Sequence, residues 1–390
     1  MTPLGVDVKE FGAVGDWDPI SKTGTDDTAA VQAALNAVSG GGGLSAGGLW
    51  WSPGRYLIRD TLTLGSNTVI QSTGLLNSGS VNNTVDRLPT MVLFDGPDGS
   101  PCFHATAQQK ILLSGLRIQD IRQGATAGDG VLFENVLNGT QIVRCDVRDF
   151  PGAGIRIKRD DTTKYPSDCV LVDDVWLMSN GTYGLDLADL DNTVIVRHIK
   201  GDTKAGSTMR ALIRCAAGDY QGSTVTVEHV KHEVRNGAST IFLDTLYGQC
   251  NIRGVVQRLG PGGPIVDIQG NVGSMVVIQG VSGKTGATGG AAGQLLRVGR
   301  NVVPGTRLPL WVGGADGLQI NGATIKGQYD SWQQMTLGGS VTVAGRVGFY
   351  GQKPALQPTL TYSRATETAP EGQLRAALTT LGLVTDRTVP

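Results

Sequence analysis

Four aspartates, Asp16, Asp18, Asp26 and Asp27, stand within residues 11–38, FGAVGDWDPISKTGTDDTAAVQAALNAV. Carboxylates gathered this closely can ligate a divalent cation or share general acid and base work. The stretch also has a complete architectural account. From Thr28 the residues are good helix formers. Val31, Ala34, Leu35 and Val38 recur at helical spacing and make one apolar stripe. Thr25 offers a hydroxyl to cap the first turn, Asp26 and Asp27 fall against the positive helix end, and the glycines from Gly40 stop the helix. The aspartates therefore read as the start of an amphipathic helix, not as a metal site.

Other reactive side chains are sparse. The five cysteines, Cys102, Cys145, Cys169, Cys215 and Cys250, are an odd and widely spaced set without a Cys-x-x-Cys pair. Buried free thiols are expected, not disulfides or zinc. His229 and His232 lie three apart, a spacing that suits a helix face, but their stretch reads as strand, so no metal is assigned. There is no Ser-His-Asp set and no phosphate-cradling loop in convincing context, and no cofactor is implied. The chain carries 33 basic and 34 acidic residues, which gives no electrostatic footprint for nucleic acid or an anionic membrane. No apolar run approaches the ~18–20 residues of a membrane span. The start, MTPLGVDVKEFG, lacks the charged and apolar regions of a signal peptide.

The elements that must position any site come from a repeat. Glycine supplies 57 of 390 residues, scattered without a triplet period. Between residues 110 and 330, short β-branched runs alternate with Gly, Asn and Asp, the pattern of strands and tight turns. A six-residue element recurs: LSGLRI at 113, IVRCDV at 142, VDDVWL at 172, VRHIKG at 196, VEHVKH at 227, IRGVVQ at 252, IQGVSG at 278 and INGATI at 320. Its first and fourth positions are apolar. Its third holds Gly115, Arg144, Asp174, His198, His229, Gly254, Gly280 and Gly322, nearly all of types that tolerate a left-handed backbone. That is a strand turning a corner with both flanks inward, and it gives His198 and His229 a conformational role. A second series, GVLFEN at 130, GIRIKR at 154, GLDLAD at 184, STIFLD at 239 and PIVDIQ at 264, lies between the corners. Repeats spaced 24 to 31 residues apart up to 278, each unable to bury its apolar face alone, stack into a parallel β-solenoid.

The first 60 residues carry a family likeness. Phe11, Gly12, Ala13, Gly15 and Asp16, then Thr25, Asp26, Asp27, Thr28 and Gln32, match the F-G-A-x-G-D and T-D-D-T-x-A-x-Q elements, and Pro53, Gly54, Arg55 and Tyr56 resemble the turn that follows, one residue short. In these elements the chain resembles the pectate-lyase-superfamily right-handed β-helix proteins of bacteriophage tailspikes and minor tail proteins. The resemblance implies an all-β, single-stranded right-handed parallel β-helix with an N-terminal capping helix, organised as cap 1–40, helix 41–345 and C-terminal segment 346–390. The segment VGFYGQKPALQPTL followed by GQLRAALTTLGLVTD is similar to the close of many phage tail proteins. Leu374, Leu378 and Leu381 make a short stripe ended by Gly382, a short helical extension for trimerisation or attachment. A homotrimer bound to other tail proteins and to host cell-surface glycan is implied, made in the host cytoplasm and carried on the virion.

Tailspikes of this shape often cut polysaccharide with paired carboxylates, about 5 Å apart in retaining and 6.5–9.5 Å apart in inverting enzymes. The candidates are Glu134, Asp160, Asp161, Asp173, Asp186 and Asp244. Aligning the strands puts Arg156 and Asp186 in one outward column and Glu134, Lys158, Arg214 and Asp244 in another. Alternating signs also make a plain ion-pair ladder, so binding without cleavage is the main expectation, with a depolymerase or a structural spacer of the tail tip as alternatives. Arg156 and Lys158 stand in R-I-K, a tripeptide with which polygalacturonases grip substrate, but the companion N-T-D, G-H-G and G-x-D-D motifs are missing. Trp50, Trp51, Trp176, Tyr183 and Tyr220 could serve as stacking platforms for sugar, with packing in the core or between subunits the leading expectation for each. With few aromatics, a shallow polar glycan surface is expected over a deep pocket.

Overall fold

Left-handed corners set the architecture. The computed structural model describes residues 5–39, 48–72, 90–160, 167–203, 207–216, 224–244, 249–258, 263–269, 276–279, 282–284, 296–298, 310–313, 359–363 and 385–389. Gly115, Arg144, Asp174, His198, His229 and Gly254 all have φ between +52° and +79°. The expected corners at Gly280 and Gly322 lie outside the described residues. Five of these corners hang the amide on the following rung: Gly115 N–H donates to Val143 O, Arg144 to Asp173 O, Asp174 to Arg197 O, His198 to Glu228 O and His229 to Arg253 O. Arg144, the one residue of a type that rarely bends this way, gives its guanidinium to Ser114 Oγ at 3.0 Å.

Between corners the chain visits three sheets in turn, called here sheets one, two and three. Among the described residues sheet one has eleven strands, from Gly5–Asp7 to Leu310–Gly313. Sheet two has nine, from Arg55–Ile58 to Ser282–Lys284, and sheet three nine, from Leu62–Thr63 to Leu296–Val298. Neighbouring strands run parallel. The fold is an all-β parallel solenoid whose one described α-helix is Thr28–Val38.

Strict register turns alternation into columns. Leu49, Ile70, Leu113, Ile142, Val172, Val196, Val227, Ile252 and Ile278 face one another down sheet one, all buried. Each such side chain contributes about 1.5–3 kcal/mol by leaving water. The inner column of sheet two runs Tyr56, Val92, Ile118, Val147 and Leu177, then changes character to Gly201, His232 and Gln257. Gly201 leaves room for Leu212, whose side chain fills the space a Cβ would take.

The cap closes the first rung. Val31, Ala34, Leu35 and Val38 are buried as the stripe requires. The N-cap is Asp27, however, not Thr25, and its side chain caps nothing. The reason is competition. Asp16 takes the Thr25 amide (2.8 Å) and hydroxyl (2.9 Å), Asp26 takes the Thr28 amide (3.0 Å), and the buried Asp27 carboxylate accepts from Val14 N–H (2.6 Å) and Gly15 N–H (3.0 Å). Burial pushes the Asp27 carboxyl up. Asp16 and Asp26 also bridge to Arg55 and Leu57, which lays this loop along the first strand of sheet two.

The chain divides into two compact units, 1–336 and 337–390. In the second, Thr359–Ser363 and Thr385–Val389 pair in parallel, Thr359 opposite Thr385. The sequence reading did not anticipate this pair. The helical stripe Leu374, Leu378 and Leu381 lies outside the described residues.

Candidate functional site

Sheet three brings most of the candidate side chains to one outer face. In its strands Phe103–Thr106 and Val131–Glu134 buried and half-buried residues alternate, and in Ala153–Lys158, Tyr183–Ala188, Ala211–Ala216 and Ser239–Leu243 the same pleat carries a more deeply buried outer face. Register aligns His104, Leu132, Arg156, Asp186, Arg214 and Phe242 in one column, with Thr106, Glu134 and Lys158 in the next. Arg214 thus belongs with Arg156 and Asp186, and not with Glu134 and Lys158 as the sequence alignment had it. Ala211 pairs with Tyr183, so Leu212 takes the register position of Gly154 and Gly184, and Arg214 stands two residues beyond it as Arg156 and Asp186 do.

The columns are ion-pair ladders. Arg156 reaches Asp129 (3.4 Å) and Asp186 (3.2 Å), and Arg214 bonds Asp186 (2.9 Å) and Asp244 (2.8 Å). Glu134 accepts from Lys158 (3.1 Å) and meets His104 Nε2 at 2.8 Å. Burial lifts the Glu134 carboxyl, but the His104 and Lys158 bonds more than offset it and hold it below its ordinary value. Burial lowers Arg214, yet Asp244 and Asp186 reverse this and raise it. Tyr183 lies almost buried beneath two guanidiniums, Arg214 at 5.5 Å and Arg210 at 6.0 Å from its ring, and Arg210 also covers Phe242. Burial raises the Tyr183 hydroxyl.

The remaining candidates are elsewhere. Asp173 is on sheet one, held by Arg197 (2.9 Å) and His198 Nδ1 (2.8 Å); burial raises it, and these partners bring it below the usual range. Trp176 is on sheet two. The Asp160 amide donates to Asn135 Oδ1. Asp161 and Tyr220 lie outside the described residues. Trp51 is core, edge-on to Tyr56 and Phe103, while Trp50 is half-buried on sheet one. Cys102, Cys145, Cys215 and Cys250 are buried free thiols, and Cys169 is exposed.

Two members of the site were missed from sequence. His104 was legible in the alternation of FHAT, between buried Phe103 and Ala105. Asp129 precedes its strand in a glycine turn, and burial raises its carboxyl despite Arg156 and the Ala153 amide at 2.7 Å. Among the described residues no three or more His, Cys, Asp or Glu side chains converge as metal ligands, and no helix is long and apolar enough to cross a membrane.

No family model matches the sequence, and no curated protein matches it. Several solved structures resemble it in part. A Geobacillus virus E2 protein, ORF18, is 15% identical with a TM-score of 0.47, covering 80% of this chain and 60% of its own. The tailspike gp49 of Acinetobacter baumannii bacteriophage Fri1, described as a capsular polysaccharide depolymerase, is 13% identical with a TM-score of 0.45, over 80% of this chain and 57% of its own. PfbA, a surface adhesin of Streptococcus pneumoniae, is 12% identical with a TM-score of 0.38, over 78% of this chain and 91% of its own. The chain therefore spans about three fifths of the two viral proteins.

Proposed function

We propose that this chain is a bacteriophage tail protein of the tailspike or minor-tail type, which assembles as a homotrimer on other tail proteins and binds host-envelope carbohydrate along its side. The observation that carries this reading is the capping motif. The two sequence elements that resemble the tailspike family are tied together by Asp16 to Thr25 and by Asp27 to Val14 and Gly15, and the helix they launch covers the top of the coil. On this reading the protein is made in the host cytoplasm and reaches its place by assembly into the virion.

Binding is favoured over cleavage by the ladders. Glu134, Asp173, Asp186 and Asp244 each bond a cationic or imidazole partner. Their partners hold the Glu134 and Asp173 carboxyls below their ordinary values, which makes them poor proton donors.

The test uses the labelled full chain and bacteria on which a phage carrying it forms plaques. Saturable association, competed by surface glycan from the same cells, is expected. No association above that of an unrelated trimeric protein overturns the reading, and normal adsorption of particles lacking the chain points to a spacer instead. Light scattering at three times the chain mass checks the trimer.

A further inference from the structure

Sheet two carries a charge pattern unlike that of sheet three. Its outward column reads Arg117, Asp146, Trp176, Lys200 and Lys231 on successive strands. Asp146 is buried and takes two guanidiniums, from Arg117 (Nε, 3.0 Å) and Arg148 (Nε, 2.6 Å), which leaves this group with one excess positive charge. Next along, Lys200 holds Nζ 3.9 Å from the centre of the Trp176 ring, and among the described residues its ammonium bonds no carboxylate. Lys231, directly opposite Lys200 on the following strand, gives its ammonium to Glu233 at 2.6 Å. Stability alone favours alternating signs in a column, the pattern that sheet three shows with Arg156, Asp186 and Arg214. Two lysines in register, about 4.8 Å apart at the backbone, repel each other.

We propose that Trp176, Lys200 and Lys231, extended by Arg117 and Arg148, form the docking strip for a strand of acidic polysaccharide. The proposal rests on the reading of the chain as a glycan-binding tail protein and names the class of glycan. Carboxylates recurring along the polymer meet cations recurring along the rungs. When Lys200 leaves the indole for a sugar carboxylate, the ring is freed for the C–H face of a sugar. An ammonium on a flexible stem can make that move, whereas the guanidiniums Arg156 and Arg214 of sheet three are each held between two carboxylates. The strip lies across the strands, so a glycan aligned with the stacking direction meets each residue in order.

The experiment measures retention of the full chain on immobilised alginate and on neutral dextran, at low and high salt. Retention on alginate that weakens with salt, with little on dextran, is expected. Lys200→Gln combined with Lys231→Gln should weaken alginate binding about tenfold or more, equivalent to roughly 1.4 kcal/mol. Trp176→Ala should weaken it too, and Lys22→Gln on the cap loop should leave it unchanged. Circular dichroism and melting confirm that each variant is folded. Equal retention on dextran, no retention on alginate, or full retention by the lysine double variant overturns the proposal. If the wild type adheres to host cells and the double variant adheres equally, the strip is wrong and the glycan-binding reading stands. If the wild type fails to adhere, both fall.

Discussion

His232 and Thr240 meet inside the coil, the imidazole Nδ1 lying 3.2 Å from the Thr240 hydroxyl. Thr240 also accepts from Gln257 Nε2 at 3.1 Å, so His232 and Gln257, neighbours in the inner column of sheet two, both meet one hydroxyl from sheet three. The ring is fully buried, and burial pushes its pKa down to about 3. The unfolded chain, with a histidine pKa near 6.5, therefore binds a proton that the folded chain refuses. Stability is unaffected above about pH 6.5 and falls as pH drops from there toward 3, by about 2 kcal/mol at pH 5. Urea melts from pH 7.5 to 5 should show this slope in the wild type and a flatter one in His232→Leu. Parallel slopes would refute it.

Arg214 is the hub of the sheet-three ladder. Replacing it with Met leaves the Asp186 carboxylate, only 6% exposed, with Arg156 alone. Breaking a buried pair costs about 3–5 kcal/mol, and the surviving Arg156 contact brings the expectation to about 2–3 kcal/mol. Asp244 is 39% exposed, so Asp244→Asn should cost under about 1 kcal/mol. Adding Asp186→Asn to Arg214→Met should recover part of the loss in denaturant melts. Equal effects of Arg214→Met and Asp244→Asn would contradict the ladder.

The Arg144 corner gives a backbone prediction. With φ at +52°, a β-branched residue is strained there by about 1–2 kcal/mol, whereas glycine is not. Arg144→Gly should stay within about 0.5–1 kcal/mol of wild type, its gain in the fold offset by greater freedom in the unfolded chain. Arg144→Val should melt earlier than both. A valine variant as stable as the glycine one would mean the corner relaxes out of the left-handed region.

Asp27 ties cap to coil. Asp27→Ala strips the part-buried Val14 and Gly15 amides of their acceptor, at about 0.5–1.5 kcal/mol for each. Hydrogen exchange should then quicken across Thr28–Val38. Asp18→Ala, whose bonds to Ile20 and Ser21 stay within one exposed turn, should cost under about 1 kcal/mol. Unchanged exchange in Asp27→Ala would remove the carboxylate from its closing role.

If the ladders serve binding alone, the purified chain incubated with a polysaccharide it retains should release neither new reducing ends nor unsaturated sugars. Either product would turn attention to Asp129, whose raised carboxyl shares Arg156 with Asp186.

The corners were legible because a left-handed backbone filters residue types so strongly that Gly115, Asp174, His198, His229 and Gly254 announce themselves. The capping stripe was legible because helical periodicity over eleven residues has few alternative explanations. What failed was competition and register. Which aspartate takes which amide depends on chain segments folded against each other, so Thr25 looked like a cap while Asp16 was its partner. Arg214 was assigned to the wrong column because its strand does not open on glycine, the landmark used to align the others. Asp129 was invisible because its importance comes from Gly152, folded against it from the next rung with no space for a Cβ between. His232 looked like half of a ligand pair until alternation turned it inward and left His229 at the corner, stacked on His198 with ring centres 5.1 Å apart.

The amide-to-carbonyl bonds that join one rung to the next point along the stack, from Gly115 to Val143 and onward through His229 to Arg253. Tension applied in that direction would stretch the linkages of a single layer together, while the layers beyond it stay shut until that one parts. A coil built this way would yield in discrete steps, each releasing a length of slack set by the loop that follows, so loop length would tune how far the coil extends before the next layer takes the strain.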